Sequence, residues 1–311
     1  MKKITIMTPC YNEEENVDLL YERVKNVFAA IPQYTYEHVF IDNCSQDRTP
    51  DMLREIAKKD KNVKVILNAR NFGHIRSPFH GLLQGSGDAV ISMSADFQDP
   101  PEMIPDFLAK WEEGYKVVIG VKHKSQENKL IFGLRKVYYK LVKRLSEGES
   151  INNFTGFGLY DRCVIEVMRE MKDPYPYFRG LVCEIGFDRA EIVFTQPRRE
   201  RGITKNNFYT LYDMAMLGIT SNSKIPLRLA TFFGFLLSGL SLIIAGVYLV
   251  LKLIWWDTFS LGLAPLVIGL FFFSSVQIAF IGILGEYIAS IHTKVTNRPL
   301  VVEKERLNFD E

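Results

Sequence analysis

Apolar residues fall in short runs over the first two thirds of the chain and in two long runs over the last third. The short runs 4–7, 38–41, 63–67, 89–93, 116–120 and 192–195 read as buried strands. Between them the apolar positions take a helical spacing. One helix opens at Tyr11–Asn16 and carries Val17, Leu20, Val24 and Val27. Others cover 52–59, a stretch ending near Gln84, and 101–111. Strands alternating with helices predict right-handed crossovers and an α/β, mostly parallel sheet. Ligands of such sheets bind outside the carboxyl ends of the strands. The polar clusters 8–13, 42–49 and 94–99 all fall at those ends.

The runs 229–251 and 261–285 contain no charge apart from their flanks, and each is long enough to cross a bilayer core of ~30 Å. Trp255 and Trp256 in the connecting loop suit an interfacial belt. Lys224 and Arg228 precede the first run, and Lys294 and Arg298 follow the second. This bias predicts both termini and the large domain on the cytoplasmic side. Glu286 is expected at the interface. The expected division is a catalytic domain at 1–208, a juxtamembrane amphipathic segment at 209–228, a two-helix hairpin at 229–285 and a cytoplasmic tail at 286–311. Gly234, Ser238, Gly239 and Gly246 offer a small-residue face for helix association, so a homo-oligomer is expected. The segment 130–145 mixes basic and aromatic residues. It reads equally as a helix against a bilayer surface or as an ordinary solvated face.

Charge and cysteines change this picture little. The 311 residues carry a formal net charge of +2, which gives no field to recruit nucleic acid. The 4 cysteines are scattered singly, which argues for a reducing compartment and against a disulfide framework or structural zinc. The start of the chain lacks the pattern of a signal peptide.

The strand at 89–93 ends in Ser94-Ala95-Asp96-Phe97-Gln98-Asp99 and two prolines. Asp96, Gln98 and Asp99 are oxygen donors suited to a hard divalent cation such as Mg2+ or Mn2+. Such a cation would neutralise the diphosphate of a leaving nucleotide. Arg199 and Lys205, in the basic loop before the spans, would meet further phosphates near the bilayer. A soluble nucleotide-linked donor and a lipid acceptor follow from a cation site tied to a membrane.

Five stretches carry a resemblance. Thr8-Pro9-Cys10-Tyr11-Asn12-Glu13 resembles the opening motif of the family 2 glycosyltransferases, which have the GT-A fold. Asp42–Thr49 resembles their second donor motif. Arg70-Asn71-Phe72-Gly73-His74, Asp96–Glu102 and Gly202-Ile203-Thr204-Lys205 resemble the branch making polyprenyl-phosphate sugars. That branch includes bacterial GtrB-like and ArnC-like enzymes and dolichyl-phosphate mannose synthase. The resemblance covers nearly the whole chain. It implies that Pro9, Tyr11 and Glu13 hold the nucleobase and ribose. Ile41 and Asn43 would be the next donor contacts, with Ser94, Ala95 and Lys122 also on the donor side. Asp96 and Gln98 would hold the metal. Arg135 would approach the acceptor phosphate, and Arg199 and Lys205 would act at the diphosphate and acceptor.

Two positions depart from the family pattern. Asn43 stands where an aspartate is usual, which weakens inference about the base. Ser94 stands where the metal motif usually has its first aspartate. That leaves open a lower cation affinity or a substitution by Asp99. The expected function is inverting transfer of a hexose, from UDP-glucose or UDP-N-acetylhexosamine, to undecaprenyl phosphate in a bacterial inner membrane. The product would serve cell-envelope glycan modification, with a flippase and a downstream glycosyltransferase as expected partners. A processive polysaccharide synthase is disfavoured, because no Gln-x-x-Arg-Trp is present. The remaining rival is a catalytically impaired scaffold that binds nucleotide sugar or recruits a flippase.

Overall fold

The computed structural model describes residues 1–122, 151, 154–197, 216, 225–255, 263–296 and 298–309. Strands β1 (Lys2–Cys10), β2 (Tyr34–Asp42), β3 (Val63–Asn68) and β4 (Ala89–Ser92) form the parallel heart of one sheet. β5 (Val117–Lys122), β6 (Phe154–Asp161), β7 (Arg189–Phe194) and β8 (Glu303–Leu307) complete it, in the order β7-β5-β6-β4-β1-β2-β3-β8. β6 lies antiparallel between β4 and β5, and β8 runs antiparallel along β3.

The near-continuous apolar runs of β1 and β2 follow from burial on both faces. Helices α1 (Val17–Ala30), α2 (Thr49–Lys59) and α4 (Ile104–Glu112) cover one face. Their Leu20, Leu53 and Phe107 pack with Ile4, Ile6 and Phe40. Helices α3 (Gly73–Leu83), α5 (Arg162–Met171) and α6 (Phe178–Glu184) cover the other. There Phe79, Ile165 and Leu181 meet Met7, Val39 and Ile41. Each such buried side chain contributes about 1.5–3 kcal/mol. Successive residues of β2 point to opposite faces, so a one-residue slip would reverse every contact.

Two glycines let backbones approach. A Cβ on Gly158 would stand 2.4 Å from the Val118 carbonyl, and one on Gly87 would stand 2.7 Å from that of Lys3. Below these strands, the Glu37 carboxylate receives Thr5 Oγ1 at 2.6 Å, Ser86 Oγ at 2.8 Å and Lys64 Nζ at 2.9 Å. Burial alone would raise its pKa, but these hydrogen bonds, with that of Lys3, hold it down to about 2. Next to it, burial holds the His38 imidazole down to about 3. Its ring stacks on Phe40 at 3.8 Å and its Nε2 shares a hydrogen with Thr8 Oγ1 at 3.0 Å.

Helices α7 (Ile225–Ile254) and α8 (Leu263–Val295) hold two stretches, Ile225–Leu251 and Ile268–Val295, long and apolar enough to cross a membrane. Their apolar side chains face outward, with Phe235 77% and Ile278 69% exposed. α8 runs past the apolar run at 261–285, through Glu286 to Val295. The chain then returns to the sheet. Residues 286–311 were expected as a tail, yet Glu303–Leu307 form a strand of the first domain's sheet. Arg54 clamps that strand through Glu305 at 2.7 Å, and His80 reaches Glu303 at 2.7 Å. The Asn308 amide caps the end of α2 at the Ala57 carbonyl, 2.6 Å away.

Candidate active site

The carboxyl ends of β1, β2 and β4 lie side by side, and each turn beyond them carries a non-glycine residue at positive φ. These are Asn12 at 56°, Cys44 at 64° and Phe97 at 58°. Such conformations cost about 1–3 kcal/mol each and persist only where the surroundings over-determine them. The surroundings are visible in each case. Asn12 donates its amide to Ser45 Oγ at 2.8 Å and accepts the Gln46 amide at 2.8 Å. Cys44 sits in the Asx turn in which Ser45 N–H reaches Asp42 Oδ2 at 3.0 Å. The Phe97 ring is buried, with the Arg23 guanidinium 4.9 Å above it.

The three turns floor a cavity of about 570 Å³. Pro9, Tyr11, Glu13 and Asn43 line it from the first two strand ends, Ser94 and Asp99 from the third. Gly73 and His74 at the start of α3 form one wall. Tyr177, Phe178 and Arg179 of the α6 region form another. The Cys10 thiol at its floor is pushed well up by burial, then by Asp42, so it is no nucleophile.

Asn43 explains one departure from the family pattern. Its Oδ1 accepts the Phe72 amide at 2.8 Å and Asn68 Nδ2 at 3.3 Å. Its Nδ2 donates to Asn71 Oδ1 at 3.0 Å and to the Gly73 carbonyl at 3.2 Å. The backbone fixes this orientation, because Phe72 N–H needs an acceptor and the Gly73 carbonyl needs a donor. An aspartate cannot supply the donor half. The asparagine therefore ties the loop after β3 to the end of β2, and its side chain is largely spent on that task.

The turn after β4 is different. Ser94 N–H donates to Asp99 Oδ2 at 2.9 Å, and Gln98 N–H donates to Asp96 Oδ1 at 3.2 Å. Ser94 Oγ is buried and makes no hydrogen bond of acceptable geometry among the described residues. Burial pushes the Asp99 carboxyl up; the Ser94 amide and, from a poorly aligned position, the Ser94 hydroxyl oppose this, the neighbouring Asp96 adds to it and Lys122 opposes it. A buried, unsatisfied oxygen beside buried carboxylates is a polar pocket short of a partner. The donors are all oxygen, so a hard cation fits. Among the described residues no group of three His, Cys, Asp or Glu forms a closed metal cage. A cation here would be completed by water and by a ligand's phosphates, as is usual for magnesium.

Of the expected site residues, Pro9, Tyr11, Glu13, Asn43 and Ser94 share the cavity. Ile41 is fully buried and faces α3, where a Cβ on Gly81 would stand 2.7 Å from its Cγ2. Ala95 and Asp96 are buried on the turn just outside the cavity lining, with Gln98 beside them. Lys122 ends β5 and acts on Asp99 through its charge. Arg135, Arg199 and Lys205 lie outside the described residues, as do most of 122–128 and the segments 130–145 and 209–215. Thr155 lies in the loop 152–158 expected near the sugar and Asn71 in the motif at 70–74, but sequence reasoning gave no role to the Tyr177-Phe178-Arg179 wall. The last had a signal in Pro174-Tyr175-Pro176, a chain-stiffening run next to aromatic and basic residues.

The glycosyl transferase family 2 profile matches residues 5–168. An uncharacterized glycosyltransferase, YkcC, of Bacillus subtilis (strain 168) is 33% identical over 307 residues, covering 98% of this chain and 94% of its own. The SfII prophage-derived bactoprenol glucosyl transferase of Shigella flexneri is 32% identical over 304 residues, covering 97% and 98%. Among solved structures, the mannosyltransferase PcManGT from Pyrobaculum calidifontis, in complex with GDP-Man and Mn2+, is similar at a TM-score of 0.43 and 17% identity. That match covers 95% of this chain and 87% of the other.

Proposed function

The chain belongs to glycosyl transferase family 2, and from that premise we propose that it transfers a hexose from a nucleotide sugar to a polyprenyl phosphate. The finer reading is UDP-glucose or UDP-N-acetylhexosamine as donor and undecaprenyl phosphate as acceptor. The domain would lie on the cytoplasmic side of a bacterial inner membrane, as the flanking lysines and arginines favour. Both the Shigella relative's name and the paired apolar helices support a lipid acceptor.

One observation carries the reading. The cavity lies at the strand ends, and the end of α8 is tied beside it: Lys294 Nζ reaches Asp173 Oδ2 at 3.5 Å, next to the Tyr177-Phe178-Arg179 wall. A nucleotide sugar in the cavity thus lies beside the place where a membrane helix leaves the domain.

In the proposed reaction an acceptor phosphate oxygen bonds to the anomeric carbon as that carbon's bond to the diphosphate breaks. The electron pair leaves with the nucleoside diphosphate. An α-linked donor gives a β-linked product. The phosphate oxygen is already anionic near neutral pH, so orientation and charge stabilisation outweigh base catalysis. Pro9, Tyr11 and Glu13 would hold the base and ribose at the first strand end. Asp96, Gln98, Asp99 and the Ser94 hydroxyl would hold Mg2+ or Mn2+, which when bound supplies positive charge to the diphosphate. Arg135, Arg199 and Lys205 are proposed at the acceptor and leaving phosphates.

The test uses membranes holding the full chain, supplied with donor, undecaprenyl phosphate and magnesium. Nucleoside diphosphate should be released only with the lipid present, and Asp96→Ala should abolish the release. Full turnover in that variant would sink the metal assignment. The missing carboxylate at Ser94 favours one second reading, a scaffold that binds nucleotide sugar without turning it over. Donor binding with no release under any lipid would select it.

A further inference from the structure

Most arginines of the domain are neutralised. Arg23, Arg54, Arg162, Arg169 and Arg306 each reach a carboxylate within 4.0 Å. Arg48, Arg70, Arg76, Arg179 and Arg298 do not, among the described residues; of these, Arg70 and Arg76 lie together, and Arg298 precedes the Pro299 that Arg76 reaches. Arg70 and Arg76 share one aromatic platform, their guanidinium carbons 4.1 and 5.5 Å from the Phe72 ring centre. Arg70 also donates to the Asn71 carbonyl at 3.1 Å. The Arg76 terminal nitrogen donates to the Pro299 carbonyl, which draws the chain after α8 onto the start of α3. Arg76 Nε is buried and has no hydrogen-bond partner.

The charges act on one another. Burial lowers the Arg76 pKa, Arg70 lowers it further, a neighbouring Tyr175 opposes this, and Arg298 again lowers it. Three clustered guanidiniums, one with a buried unmet N–H, are unfavourable unless an anion joins them. Arginine's planar fork suits phosphate, and clustered arginines are a recurring mode of phosphate recognition.

The position selects the source of that phosphate. Arg298 follows the membrane-crossing stretch Ile268–Val295 by three positions, where a lipid's phosphate would lie. On the other side, Gly73 and His74 belong to the cavity wall. We propose that Arg70, Arg76 and Arg298 form a binding site for the phosphate of a membrane lipid at the mouth of the cavity. It lies apart from Arg135, Arg199 and Lys205 in the sequence. The proposal rests on α7 and α8 lying in a bilayer, and it does not require that transfer occur.

The experiment measures lipid retained by the full chain in neutral detergent, by native mass spectrometry. Phosphatidylglycerol, phosphatidylcholine and a short-chain polyprenyl phosphate are supplied in separate arms, with and without excess inorganic phosphate. The wild type should retain an anionic lipid well above phosphatidylcholine, and inorganic phosphate should compete. The triple variant R70Q/R76Q/R298Q should retain about tenfold less or weaker still. The double variant R70Q/R298Q leaves the Arg76–Pro299 tie intact and should also lose retention, which guards against a folding defect in the triple. Retention of the polyprenyl phosphate alone would assign the site to the acceptor. Retention of phosphatidylglycerol as well would assign it to bilayer headgroups. Equal retention by wild type and the double variant would overturn the proposal. Failure of the wild type to release nucleotide would count against transfer only, because lipid retention is read without a donor.

Discussion

The turns after β2 and after β4 flank the end of β1 on one sheet edge and are built on different terms. In the first, the Asn43 amide makes four hydrogen bonds and the Asp42 carboxylate is closed by Ser45. In the second, Ser94 Oγ is buried with only a poorly aligned contact to Asp99, whose carboxyl burial pushes up as it does that of Asp42. The first turn is finished without a ligand. The second keeps oxygen donors that the proposed cation would use. Polar residues at the strand ends of one sheet can thus differ in how far their neighbours hold them.

The largest test of this contrast is acid. His38 lies under the first turn with its pKa lowered to about 3 by burial, against about 6.5 unfolded. The unfolded chain therefore binds the extra proton first, and this contribution, full above about pH 6.5, is lost as pH falls toward 3. By pH 4 the loss should reach about 3 kcal/mol, read from denaturant unfolding across pH. Asp99 has the opposite sign. Its raised pKa makes folding less favourable as pH rises through it. A fall between about pH 6.5 and 5 in wild type that is absent in His38→Gln would assign that window to His38, while the fall below about pH 4.5 should remain because Glu37 is held down to about 2.

Next in size is Asn43→Asp. It removes both donors and brings a charge to a buried position, and should cost about 2–4 kcal/mol in thermal or denaturant unfolding. An unchanged midpoint would mean that the loop after β3 does not depend on the amide. Asp99→Asn should do the reverse. An asparagine oxygen can still accept the Ser94 amide, so the variant should gain roughly 1 kcal/mol near pH 8. That gain should shrink as pH falls, while divalent-cation binding, followed by calorimetry, weakens. The smallest effect belongs to Ser94→Ala. Removing an unsatisfied hydroxyl should leave stability within about 1 kcal/mol of wild type or slightly above it. A loss as large as that of Asn43→Asp would erase the distinction between the two turns.

The strands that carry these turns were legible because burial on both faces forces continuous apolar runs, as in 38–41 and 63–67. β8 was not. Its sequence, Glu-Lys-Glu-Arg-Leu, is charged as befits an edge strand, and its partner lies more than two hundred residues away. α5 had a usable signal, with Asp161 capping Cys163 and Val164, Ile165 and Met168 on one face. Residue types also told less than their partners. Asn43 and Ser94 both looked like lost carboxylates. Asn43 is held through its amide, while the buried Ser94 hydroxyl has only a poorly aligned contact to Asp99. Asp96 was readable as a strand-end acid, yet its burial beside the cavity rather than in its lining was not, because turn geometry after a proline-rich stop is set by packing around Phe97.

The part of α8 beyond the apolar run has a geometric consequence. Residues 286–295 continue the helix at 1.5 Å per residue, about 15 Å beyond the uncharged run and up to the level at which Arg298 is proposed to meet a lipid phosphate. A helix of that length is stiff, and Lys294 and Pro299 fasten its far end to the domain. It therefore works as a stand-off post of set height. Under the proposed function, this post sets the height at which the cavity would meet a lipid headgroup. Changing the length of the post would alter which lipids can reach the sugar, without touching a single residue of the pocket.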